Sequence, residues 1–88
     1  MNKEVKEKFL QMCEILEKPT EKKDANNGFF WNLDYNNFYG GYVVYSVNVA
    51  SGGVSSIFGQ ERRSKKEMLA FMDGFLQAIF YLKSKKND

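Results

Sequence analysis

Four cations surround one serine in this chain: Arg62, Arg63, Lys65 and Lys66, with Ser64 between them. If Ser64 opens a helix, unpaired backbone N–H groups gather there, and such a helix start attracts anions. Basic side chains around it would complete a site for a phosphate, carried by a nucleic acid or a small ligand. The placement has a cost. Cations at a helix N-terminus oppose the macrodipole by about 0.3–1 kcal/mol each. A solvated charge run beside Glu61 and Glu67 is therefore the preferred expectation, and anion binding by the four is the alternative.

Other reactive side chains are sparse. Asp34 is the lone carboxylate between residues 25 and 60. No acid–base partner stands beside it in sequence, so a hydrogen-bonding or turn role is expected rather than catalysis. Phe30, Phe38, Tyr39 and Tyr42 could stack bases if they faced solvent, but the strands around them lack interleaved Lys or Arg. There is no histidine and one cysteine, Cys13. That excludes His-dependent triads, an intrachain disulfide and a single-chain zinc site needing several Cys or His ligands. Cys13 reads as a small core residue. The glycine pairs at 40–41 and 52–53 lack any Gly-Lys-Ser/Thr or GxGxxG context and read as turns. A non-enzyme is expected, with no cofactor and no metal.

The elements that position these residues follow from charge and periodicity. Residues 25–60 hold one charge and nine of the fourteen aromatics, while the other 23 charges lie in the flanks. A sheet with one wet face normally carries charges there and on its edges. This block offers only Asn, Ser, Gly and Tyr, which points to a covered or partner-bound sheet surface. With 88 residues and 43% apolar content, one domain over 1–88 is expected, with a modest stability margin. The formal charge of +2 is too small to imply nucleic acid and counts against a DNA mimic. MNKEVKEKFL has no signal-like apolar run, and Asp73, Gly74 and Gln77 interrupt Met68–Leu82. No membrane span and a cytoplasmic setting are expected.

Val5, Phe9, Met12, Cys13 and Leu16 recur at spacings of three and four, predicting a helix over about 3–18 that Pro19 stops. Residues 19–27 read as a polar linker. The period then changes to two, predicting a sheet over about 28–60 with turns at 36–41 and 52–53. Ser64 and Glu67 form a capping box for a helix over about 64–83, before a frayed tail at 84–88. Met68, Met72, Phe75, Ile79 and Leu82 make its inward stripe, and Gly74 in its interior suggests close packing on another backbone. The fold class is α+β. The order is α-β-β-β-α, a three-stranded antiparallel meander with two helices packed on one face.

That order, with SKKE opening the second helix, resembles the double-stranded-RNA-binding domain over about residues 28–82. In motif the resemblance is carried by Ser64, Lys65 and Lys66; the family's further Ala and Lys are replaced by Met68 and Leu69, and its His-containing loop has no counterpart. It implies a weak RNA- or phosphate-binding module using Arg62, Arg63, Lys65 and Lys66. GGYVVYSVNV, FG and RRSKKE also look similar to small proteins of phages and mobile elements, which implies no activity. The preferred expectation is a non-catalytic binding or assembly protein, partnered by itself as a homodimer or by another protein. The uncharged sheet and the wide apolar arc of the last helix place Phe71, Leu76, Phe80, Phe30 and Tyr42 at that interface.

Overall fold

Asn2 precedes the first apolar stripe, and its side-chain oxygen accepts a hydrogen bond from the Val5 N–H at 3.2 Å, which starts a helix there. In the computed structural model, which describes residues 1–26, 28–38, 40–59 and 61–86, this helix is α1, Lys3–Leu16. It stops before Pro19. Glu17 takes a left-handed conformation (φ 57°), and the Lys18 N–H donates back to the Cys13 carbonyl at 2.8 Å. The stretch expected to be an unanchored linker is tied down. The Pro19 carbonyl accepts from the Trp31 N–H at 2.8 Å, Lys22–Asp24 form a 3-10 turn, and Ala25 is buried. An edge strand has outward donors that need acceptors, and here a loop supplies one.

Three strands follow: β1 (Phe29–Asn36), β2 (Gly41–Asn48) and β3 (Val54–Ser56), antiparallel in that spatial order. Leu33 lies opposite Val44 and Asp34 opposite Val43 across β1 and β2, while Tyr45 lies opposite Ser56 across β2 and β3. Opposed residues share a face. One face therefore presents Trp31, Leu33, Tyr42 and Val44, and both helices cover it. Val5, Phe9, Met12 and Cys13 of α1 close on it with Met68, Met72 and Leu76 of the second helix. The expected α+β order and its single helical layer are both present. The opposite face carries Phe30, Tyr45, Val47 and Val54, and among the described residues no helix packs on it.

The second helix, α2, is Lys65–Lys86. Its capping box closes in both directions: the Ser64 Oγ accepts from the Glu67 N–H at 3.2 Å, and the Glu67 Oε1 accepts from the Ser64 N–H at 3.3 Å. Helix persists to residue 86, beyond the expected end at 83. Only Met68, Met72 and Leu76 are fully buried along it; Phe75 and Ile79 are half-buried, and Leu82 is 61% exposed. The inward stripe ends early because the residues after Leu76 run on past the last buried contact, about 15 Å of helix at 1.5 Å per residue. Gly74 does not meet another backbone. Among the described residues nothing lies within 4 Å of where its Cβ would stand.

The cap yields two measurable outcomes. Ser64→Ala should destabilise by about 0.5–2 kcal/mol in urea unfolding, and Glu67→Ala by less, with the two losses not additive. Ser64 hydrogen bonds, from side chain first and then backbone, hold the Glu67 carboxyl below its ordinary 4.5. A depressed carboxylate stabilises fully above the unfolded value and stops doing so as pH falls through the folded one. The urea-midpoint gap between wild type and Glu67→Gln should therefore be constant from pH 6 to 8 and close below pH 4.5. A gap unchanged by acid would show that this carboxylate does not cap the helix.

Candidate functional site

The basic cluster is dispersed by strand alternation. Residues just before α2 pair with the start of β2: the Tyr42 N–H donates to the Arg63 carbonyl at 2.7 Å and the Arg63 N–H to the Tyr42 carbonyl at 2.8 Å. Neighbours on an extended segment point to opposite faces, so Arg62 and Arg63 part. Arg62 goes to the outer face, where Nη2 lies 2.6 Å from the Asp34 Oδ2 and Nη1 donates to the Gly41 carbonyl at 3.0 Å. To reach Asp34 it must cross β2 above Val43, the residue opposite Asp34. That crossing accounts for Val43 being only 2% exposed on a face without a helix. Asp34 thus has a structural partner, in keeping with its expected hydrogen-bonding role.

Arg63 goes to the helix side. Its Nη2 donates to the Phe58 carbonyl at 3.2 Å, and its guanidinium sits 4.0 Å from the centre of the Phe71 ring. Lys65 Nζ lies 3.4 Å from Glu4 Oε1, linking the starts of the two helices. Lys66 is exposed. The four cations therefore lie on different surfaces. Three of them already face an acceptor or a ring, and the helix start they surround is capped from within.

The structure assembles another surface on the flank of α2 away from α1. Phe58, Ala70, Phe71, Gly74 and Phe75 line an open groove of about 410 Å³. Every lining side chain is apolar, and Gly74 leaves its floor bare. Phe58 forms one wall, its ring 5.5 Å from Phe75 edge-on and 6.0 Å from Phe71. Farther along, Ile79 and Leu82 lie with Lys83 and Lys85 around a second shallow groove. Phe71 (41%), Tyr81 (65%) and Leu82 (61%) are exposed along this flank.

The expected interface residues divide. Phe71 lines the groove, and Phe80 is exposed on another side of the same helix. Phe30 is half-buried on the outer sheet face, in a row with Val47 and Val54. Leu76 and Tyr42 are core residues, because α2 turns Leu76 onto the sheet and the β1–β2 register turns Tyr42 under the helices. The Tyr42 hydroxyl accepts from the Asn2 N–H at 3.1 Å. Phe38 is almost fully exposed at the hairpin tip, held by its own N–H donating to Asn36 Oδ1; Tyr39 lies outside the described residues. Cys13 is buried, and burial pushes its thiol up to about 11. Among the described residues no group of three His, Cys, Asp or Glu side chains is placed to hold a metal, and no helix is long and apolar enough to cross a membrane.

Sequence reasoning missed Phe58, Ala70 and Phe75 as lining residues. Ala70, Gly74 and Ala78, four apart, were a legible sign of a helix flank without bulk. The arrival of Phe58 beside them depends on how the loop after β3 returns. No protein-family model, no curated protein and no solved structure matches the chain.

The arginine geometry predicts a contrast in stability. Arg62→Ala should cost about 1.5–3 kcal/mol, since a charge-assisted pair and the cover over Val43 go together. Lys66→Ala should stay within about 0.5 kcal/mol. Equal urea midpoints for the two variants would show that the Arg62 contacts contribute nothing. Cys13 should resist a thiol reagent at pH 7.5 in the native protein and react at once in urea, because its thiolate is scarce and shielded when folded.

Proposed function

We propose that this chain is a non-catalytic docking module that buries the exposed flank of α2 against a helix of another protein chain. One observation carries the reading: the wall-and-floor groove of Phe58, Ala70, Phe71, Gly74 and Phe75 is apolar throughout, and its floor is a glycine with open space above it. A glycine in a helix interior costs roughly 1 kcal/mol against alanine. Among the described residues nothing uses the room it creates. A second helix does, since small residues let backbones approach closely while flanking rings fill the sides. A cytosolic setting belongs to the same proposal, supported by the free, buried Cys13.

The phosphate-binding alternative has less behind it. Of the residues that carry the resemblance to the double-stranded-RNA-binding domain, Ser64 is spent on the cap and Lys65 faces Glu4. Arg62 and Arg63 are held on opposite sides of the sheet.

The test is the native mass of the chain in an extract of the cells that make it. The wild-type chain should run well above its 10.2 kDa. Phe71→Glu should bring it down to that mass with its circular dichroism unchanged, because Phe71 is half outside the fold and a carboxylate there can still meet Arg63. A wild-type chain already running at 10.2 kDa would sink the docking reading.

A further inference from the structure

The order of residues along the open flank of α2 indicates what lies on it. Glu67, Gly74, Ala78 and Lys85 are seven, four and seven residues apart, so at about 100° per residue they fall along one line of the helix. Phe71 and Leu82 run along one side of that line, Ala70 and Tyr81 along the other. The pattern is symmetric about residue 76 in position and complementary in character. Turned end for end and laid on itself, the helix sets Glu67 against Lys85, Gly74 against Ala78, Phe71 against Leu82 and Ala70 against Tyr81. Charge meets opposite charge, small meets small at the centre, a ring meets a large aliphatic side chain on one side, and small meets large on the other. Parallel pairing would set Lys85 against Lys85 and Glu67 against Glu67, which is repulsive.

Resting on the docking reading, we propose that the occupant is a second copy of this chain, its α2 antiparallel to the first across a two-fold axis over Gly74 and Ala78. A two-fold axis presents the same patch twice, so self-complementarity of one strip is what such an interface requires. The area agrees. Phe71, Tyr81 and Leu82, at 41%, 65% and 61% exposure, offer roughly 300 Å² given about 150–250 Å² for a whole aromatic side chain. The groove floor and the stems of Glu67 and Lys85 bring this to roughly 600 Å² per chain, or about 1,200 Å² for the pair, the lower bound of stable interfaces. Antiparallel helices also oppose their dipoles favourably. Phe80 lies on a different side of α2 and takes no part.

Sedimentation of the purified full chain, together with oxidation of two single-cysteine additions, tests this. The wild type should sediment as a dimer at about 100 μM, and Lys85→Glu should weaken that dimer several-fold by setting a carboxylate against Glu67. Gly74→Cys and Ala78→Cys chains, mixed in equal amounts and mildly oxidised, should give a covalent dimer, while either variant alone should not. Buried Cys13 does not compete. Covalent dimers from each variant alone would overturn the antiparallel register. A purified chain that stays monomeric would overturn the second-copy assignment; if it still runs heavy in the extract and Phe71→Glu makes it light, the docking reading survives. A chain light in both settings overturns both.

Discussion

The two hydrogen bonds exchanged by Tyr42 and Arg63 hold together most of what distinguishes this fold. β3 is only three residues long and pairs with the far half of β2, which leaves the edge at residues 41–43 for another segment to answer. The segment before α2 answers it. Its approach is close enough that a Cβ on Gly41 would collide with the Arg63 carbonyl, and Gly41 already has a φ of 117°, which side chains rarely adopt. With that pairing made, the first turn of α2 is placed against the start of β2. The two arginines are sent to opposite faces, and Phe58 is brought within reach of Phe71.

Arg62 then does on the outer face what a helix does on the inner one. A sheet face without a helix would leave Val43 in water. The bridge to Asp34 spans that position and neutralises the one charge of the strand block. Both members of the pair stay partly open to solvent, so its stabilisation is moderate and it costs little desolvation. Beyond the bridge the face still shows Phe30, Tyr45, Val47 and Val54, the uncharged surface that the composition foreshadows. The shape of the molecule is thus a single covered layer: one core between sheet and helices, one lightly roofed sheet face, and one helix longer than the layer beneath it.

That extra length bears on function. α2 leaves its last buried contact at Leu76 and continues helical to Lys86. Isolated helical turns are marginal in water, and the apolar residues on this part need cover. The same helix carries the flank bared by Gly74. Packing by a partner would supply both the cover and the missing stabilisation.

Much of the architecture was legible in the chain because it depends on local rules. Three-and-four spacing, two-residue alternation, glycine turns and the Ser64–Glu67 box each act within a few residues, and each is present where the sequence places it, with helix ends shifted by two or three residues. The composition also determined the absence of histidine chemistry and the lack of charge on the sheet. Tertiary structure alone decided which side chains meet. Whether Arg62 and Arg63 form one cluster or two opposed contacts depends on a strand pairing twenty-one residues away in sequence, from Tyr42 to Arg63, that no local pattern announces. Which of the apolar residues of α2 are core and which are surface depends on where the sheet beneath stops. The sequence reads Leu82 as inward and Leu76 as an interface residue, yet Leu76 is buried and Leu82 lies open, because amphipathic spacing does not record where the sheet beneath the helix stops.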